Sequence, residues 1–399
     1  MSKDLLLFIG YIVLFLTVSY IATPFSFDKV NPEKEINNLI AENGILQSNF
    51  PAQASPVLQN QYQNKRQEYI DAIKYGALWF YNNQNNNFLN YEYDPLNDSY
   101  VEGKEELREV ASLWAIAKAA NFTNRVEFKN LAQKGFAYFE KYFKYDKEKD
   151  FYYLNITPGS TKLGYSGFII LSLLEIDHPK KDFYLEKFAD GIIYQQKPDG
   201  SLATHFYSDK VSNVDYYPGE ALIAIAKLYE YNPEQKYLDL LNKAFSYYKK
   251  YWQENKNTPF IPWQTRAYNK LYKFTNSQEV ADFIFEMNDY LITYQPKYNS
   301  CSDFVFNQGI IIAVRMEGMN QAYEIAKMIG DKQREQCYGQ YIKEGADYIM
   351  SLQVKKSPLV KIKALGGFGQ NKDFPLQRID RNQHAIMALM EALELGILK

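Results

Sequence analysis

Histidine, cysteine and net charge are what this chain has least of: 399 residues carry 3 His, 2 Cys and a formal net charge of −2. The histidines, His178, His205 and His384, have no ligand-like spacing, so no metal site and no cofactor is expected. With two cysteines the fold cannot be built on disulfides, and a Cys-x-x-Cys motif is excluded. Cys301 and Cys337 can pair in an oxidising compartment only if their Cα atoms come within about 7 Å, which the sequence leaves open. Balanced charge argues against a nucleic-acid partner. There is no Gly-x-Ser-x-Gly elbow, no reactive-cysteine context and no Asp-rich cluster for a diphosphate.

Aromatic residues are abundant, at 16 % with 35 Tyr, while 46 % hydrophobic and 23 % charged residues are ordinary for a globular core. Tyrosine has an apolar ring and a polar tip, which suits helix packing and also stacking against sugars. Asn97-Asp-Ser, Asn121-Phe-Thr and Asn155-Ile-Thr match the glycosylation sequon, as chance allows in an Asn-rich chain.

Leu5–Ala22 is an apolar stretch just long enough to span a bilayer, and it follows Lys3 and Asp4. Its small-residue pattern is poor for cleavage, which favours an uncleaved anchor over a signal peptide, with the rest of the chain exported. Residues 24–56 are polar and aperiodic and read as a tether. The expected organisation is an anchor over 1–23, a tether over 24–56 and one domain over 57–399.

That domain alternates two helix types, six times over. Long charged helices are expected at Gln61–Asn82, Asn124–Phe143, Lys180–Gln196, Pro233–Trp252, Ser277–Gln295 and Asp331–Gln353. Helices of small and aliphatic residues are expected at Glu106–Asn121, Leu163–Ile176, Tyr217–Tyr231, Pro262–Thr275, Gln308–Ile329 and Arg381–Gly396. In the first of these, Leu107, Val110, Ala111 and Trp114 follow the i, i+3, i+4, i+7 pattern. Leu163–Leu174 is apolar nearly all round, as for a helix buried on every side. The reading is an all-α (α/α)6 toroid of six hairpins behind a membrane-spanning N-terminal helix. Links from inner to outer helices are short, and links from outer to inner are long. Every long loop therefore falls on one face, where function concentrates.

Two clusters on that face stand out. In Gly366–His384, Asp380 reads either as an N-cap with Gln383 completing a capping box, or as a catalytic acid or base beside a substrate-clamping Arg378 and a cavity-facing His384. Phe368 lies in Gly-Gly-Phe-Gly, which lacks the context of a phosphate loop. In the second cluster Asp215 and Glu220 flank Tyr217 and can supply the carboxylate pair that glycoside hydrolysis needs. Glu220 equally suits the acidic first turn of a helix. Further candidates for substrate contact are Tyr93, Arg108, Glu109, Tyr217, Trp263, Arg266, Phe368 and Gln383; Glu92, Asp94, Tyr165, Tyr268 and Asp303 also fall at the mouth. A structural pair for Arg108 and Glu109 is as good a reading as a functional one.

The region from about 60 to 399 resembles the six-hairpin glycosidase-like superfamily of glycoside hydrolases, polysaccharide lyases and sugar epimerases. Tyr91-Glu-Tyr-Asp, Tyr216-Tyr-Pro-Gly-Glu-Ala-Leu and Arg378-Ile-Asp-Arg-Asn-Gln-His look like segments of a bacterial exported branch. The resemblance implies carbohydrate chemistry by carboxylates, Tyr or His at the mouth. The expectation is a membrane-tethered protein, periplasmic or extracellular, acting on an envelope or exported polysaccharide, with hydrolysis ahead of lyase or epimerase chemistry. Asp380, Glu220, Asp215 and His384 are the catalytic candidates. Its partners would be a glycan, the membrane and other envelope polysaccharide proteins. The rival is a non-catalytic glycan-binding or scaffold protein, in which every mouth carboxylate is locked in a cap or an arginine pair.

Overall fold

The computed structural model describes residues 56–157, 159, 161–293, 301 and 304–399. The apolar Leu5–Ala22 segment, nearly all of the tether and Asp303 lie outside the described residues. Among the described residues no helix is long and apolar enough to cross a membrane. Asn60–Lys399 forms one compact unit.

Twelve helices are described. The outer set is α1 (Pro56–Asn82), α3 (Val126–Glu140), α5 (Lys181–Tyr194), α7 (Gln235–Glu254), α9 (Gln278–Thr293) and α11 (Lys332–Met350). The inner set is α2 (Glu106–Thr123), α4 (Leu163–Glu175), α6 (Tyr217–Tyr231), α8 (Phe260–Thr275), α10 (Ile311–Ile329) and α12 (Ile379–Glu394). Each inner helix packs on the next, and α12 packs back on α2, so the ring closes. Small residues permit this. A Cβ on Gly167 of α4 would come within 2.7 Å of the Glu220 carbonyl oxygen on α6, and one on Gly318 of α10 within 2.9 Å of Pro262 Cα on α8. The α4 helix is buried from Leu163 through Leu173, whereas α7 buries one stripe including Tyr237, Leu241, Phe245, Tyr248 and Trp252.

The all-helical expectation needs one correction. Five short strands are described, all in the long connections: β1 (Glu92–Asp94), β2 (Ser99–Val101), β3 (Phe143–Asp146), β4 (Phe151–Leu154) and β5 (Gln377–Arg378). β1 pairs antiparallel with β2, Tyr93 opposite Tyr100, and with β5, Glu92 opposite Arg378. This sheet fastens the first long loop to the last and shuts the ring at its mouth. The β3–β4 hairpin sets Tyr145 opposite Tyr152, and it is why α3 stops at Glu140 short of the expected Phe143. The long connections are 83–105, 141–162, 195–216, 294–310 and 351–378, but 255–259, expected to be long, is short.

Cys301 and Cys337, 36 positions apart in sequence, are joined by a disulfide with Cα atoms 4.9 Å apart. It ties the loop before α10 to α11. Cys337→Ser is expected to cost about 3–4 kcal/mol through loop-closure entropy of the unfolded chain. Urea unfolding with and without reductant checks this, and coincident midpoints would show that the bond contributes nothing.

Candidate functional site

The sequence places charged residues on inner helices, where each must find a partner or stay neutral. Arg266 is among the deepest of them. Only 2 % exposed, it meets Glu317 at 2.5 Å and Glu391 at 2.7 Å. Its guanidinium lies 4.7 Å from the centre of the Trp114 ring and 5.4 Å from that of Trp263. The other Glu317 oxygen, Oε1, meets Nδ1 of His384 at 2.8 Å. His384 Nε2 has no hydrogen-bond partner among the described residues, and the ring stands edge-on to Trp263 with centroids 6.0 Å apart. Three inner helices thus aim one imidazole, and its carboxylate partner is itself held by an arginine.

One turn earlier on α12, Asp380 accepts two bonds from Arg378, at 2.7 and 3.0 Å, and faces Arg108 Nε at 3.0 Å. Arg108 also donates to the Tyr91 hydroxyl. Burial opposes ionisation of Asp380, but Arg378 and Arg108 outweigh it and hold the carboxyl below its ordinary range. The expected capping box is absent. The N-cap is Arg378, with no side-chain cap bond, because strand β5 delivers the chain straight into the helix and puts Asp380 inside the first turn. Gln383 is buried. Arg381 meets Glu92 at 2.7 Å.

Glu220 behaves differently. It lies in the first turn of α6, 4 % exposed, and its carboxyl has no hydrogen-bond partner among the described residues; Oε2 is wholly buried. Burial first, then the nearby Glu105 charge, pushes it up to about 8, against the pull of Lys162, which is paired with Glu105. Its seat is Gly164 of α4, where an added Cβ would stand 2.0 Å from Oε2. Next along α6, Gly219 abuts Trp263, an added Cβ falling 2.6 Å from Trp263 Cβ. Trp263 thus touches both His384 and the Glu220 turn. Tyr165 is buried on α4 with an unpartnered hydroxyl, and Tyr216 feels the charges of Asp215, Glu220 and Arg108. Gly164→Ala is expected to displace the Glu220 carboxyl and lower turnover about 10²-fold. Kinetics at fixed pH with circular dichroism checks this, and unchanged turnover in a folded variant would refute it.

The structure therefore gathers Arg378, Asp380 and Arg108 into one cluster and His384, Trp263 and Arg266 into another, with Asp380 and His384 one turn apart on α12 and Glu220 reaching the second cluster through Trp263. Other candidates sit elsewhere. Asp215 accepts from Tyr251 and Asn257, both at 3.0 Å, and ties the start of α6 to α7 and its following loop. Tyr217 is buried and accepts from Asn213 at 3.0 Å. Tyr93 is fully buried and donates to Asp98 at 2.7 Å. Phe368 is fully buried, its ring packed against Gly76 of α1. Tyr268 packs on Phe245 and Phe283, away from the lumen. Asp94 organises its own loop through Leu96 and Asn97. Glu109, one residue from Arg108, faces a cleft between β2 and α3.

Sequence reasoning missed Glu317 and Glu391. Both sit mid-helix among apolar residues, and an arginine predicted to be interior, Arg266, was the signal that acids must lie opposite it. Among the described residues no group of three His, Cys, Asp or Glu is placed to hold a metal ion.

No family model matches the chain, and no curated protein is similar to it in sequence. Solved structures are similar to it in fold. The α-1,6-mannanase of a Salegentibacter species is 9 % identical and superposes with a TM-score of 0.62, covering 82 % of this chain and 99 % of its own. An unsaturated glucuronyl hydrolase specific for heparin is 8 % identical, TM-score 0.59, covering 83 % and 98 %. The cellobiose 2-epimerase of Bacillus thermoamylovorans is 11 % identical, TM-score 0.59, covering 84 % and 100 %. The chain shares the (α/α)6 toroid fold of these structures.

Proposed function

We propose that this protein is an enzyme acting on neutral carbohydrate by general acid–base catalysis at the toroid mouth. One observation carries the reading: Glu220 is not locked. A non-catalytic scaffold would pair every mouth carboxyl, as Asp380, Glu92, Glu317 and Asp215 are paired here. Glu220 instead keeps an unpartnered carboxyl that stays protonated at neutral pH, as a proton donor requires. Trp263 is the floor between it and His384.

In the hydrolytic form Glu220 gives its proton to the leaving glycosidic oxygen, and His384, oriented by Glu317, takes one from the attacking water through Nε2. Asp380 stays ionised and fixes Arg378 and Arg108 at the rim. Neutral sugar is favoured over a uronate because the mouth guanidiniums are engaged: Arg108 and Arg378 by Asp380, Arg381 by Glu92, Arg266 by Glu317 and Glu391. The similar mannanase and epimerase structures accord with sugar chemistry on this scaffold. A second reading, epimerisation or aldose–ketose isomerisation, is favoured by the base being an aligned imidazole, suited to removing a carbon-bound proton. Export and membrane tethering remain part of the proposal, supported by the Leu5–Ala22 stretch and by a disulfide that suits an oxidising compartment.

The test is incubation with a panel of neutral oligosaccharides in deuterated water. New reducing ends without carbon-bound deuterium mean hydrolysis; deuterium at the sugar C2 means epimerisation, and deuterium at C1 of a ketose product means isomerisation. His384→Ala is expected to lower either about 10²–10⁴-fold. Binding without turnover of any sugar would overturn the enzyme reading.

A further inference from the structure

Beside the mouth lies a second concavity, of about 370 Å³, at the small end of the range for organic ligand sites of about 300–1,000 Å³. The loop before β1, the end of β2 with its following turn, the first turn of α2, and Tyr138 of α3 form its walls. Tyr91, Tyr100 and Tyr138 supply its rings and Glu109 its buried polar group, with Asn87 and Glu102 exposed at the rim.

Three observations say what this cleft takes. The Glu109 side chain is about nine-tenths buried and its carboxyl has no hydrogen-bond partner among the described residues, although buried polar groups normally find one. Burial raises it to about 7, so near neutrality it both donates and accepts, as a hydroxyl partner needs. The charged residues in the lining are Glu102, Glu109 and Lys104, a set that offers no net attraction to an anion. Finally, the cleft shares a wall with the mouth. Tyr91 lines it and also accepts from Arg108, which contacts Asp380 on the lumen side. Aromatic faces, one buried group that both donates and accepts, and no basic patch make a surface for a polyhydroxylated, uncharged ligand.

Resting on the function proposed above, we infer that this cleft is a distal subsite for neutral sugar units beyond the one at the mouth, so that the substrate is an oligosaccharide or polysaccharide and not a free monosaccharide. A chain entering the lumen over the Arg108–Asp380 rim lays its remaining units across Tyr91 toward Tyr138.

The test is calorimetric binding of linear α-1,6-mannosyl and β-1,4-glucosyl oligosaccharides of one to six units. Wild type is compared with Glu109→Gln, which keeps shape but changes the hydrogen-bonding group, and Val101→Trp, which fills the cleft from an exposed strand position. Each protein is read by its own ratio of tetrasaccharide to disaccharide affinity, which cancels differences in folded fraction. The expected result is a ratio of ten or more in wild type, reduced at least fivefold in both variants. A wild-type ratio near one, or ratios unchanged in both variants, overturns the inference. It does so independently of turnover: short sugars processed with no chain-length gain would sink the subsite alone, whereas chain-length-dependent binding without any turnover would sink the enzyme reading alone.

Discussion

Glu220→Gln is expected to lower kcat about 10²–10⁴-fold, the usual worth of a positioned proton donor, in a protein that folds as well as wild type. Glutamine keeps the shape that fits against Gly164 but has no proton to give at neutral pH. The pH dependence separates this from a packing effect. A donor held at about 8 makes kcat/KM of wild type fall as pH rises through that value, and this alkaline limb should be missing from the residual activity of the variant. Stability supplies a second reading with a defined sign. The ordinary value of 4.5 applies in the unfolded chain and about 8 in the folded one. Between those values the folded state binds a proton that the unfolded state has released, so wild-type stability falls as pH rises across this window. Glu220→Gln lacks that loss and should become more stable relative to wild type from pH 4.5 to 8. An unchanged pH–rate profile together with a flat stability difference would remove Glu220 as the acid.

Arg266→Leu is expected to destabilise the toroid by about 3–5 kcal/mol, among the largest effects available to one side chain here. The loss is electrostatic first. Glu317, 1 % exposed at its side chain, would keep only His384, and Glu391 only Gln321 at 3.4 Å and the more distant Lys118 at 4.0 Å. Stacking between Trp114 and Trp263 goes with it, a further contribution of up to about 2 kcal/mol for a desolvated cation. Adding Glu317→Gln should recover part of the stability, since the double variant no longer buries that uncompensated charge, while activity stays low because His384 has lost its orienting carboxylate. Urea unfolding of both variants is the check. A single variant as stable as wild type would mean that the cluster is solvated, contrary to its burial.

Much of the scaffold was legible because helical periodicity is a local signal. Leu163–Leu173 has no polar face, so it had to be interior; Gln235–Glu254 keeps one, so it had to be outer. Linker lengths then set the polarity of the ring. The strands escaped notice because two to four residues give no usable period, and Phe151-Tyr-Tyr-Leu is held by pairing with Phe143–Asp146 and not by its own pattern. At the mouth, His384, Asp380, Arg378, Glu220 and Trp263 were recognisable from their positions at inner-helix starts. Their roles were not. Asp380 resembled a cap until β5 showed where the helix begins, and Asp215 resembled half of a carboxylate pair until Tyr251 and Asn257 were seen to hold it.

By itself, then, the sequence determined six hairpins, their inner and outer ranks, and the face that carries the long loops, since each follows from residue order over spans of one or two helices. Which carboxyls are locked and which, like Glu220 and Glu109, are unpartnered among the described residues was decided only by tertiary structure. The reason is range. Arg266 finds Glu391 across 125 positions and Arg381 finds Glu92 across 289, and no local pattern encodes such pairings. Glu220 remains protonated because Gly164 on a different helix lets it sit where water is excluded, and desolvation of that kind exists only once the ring has closed.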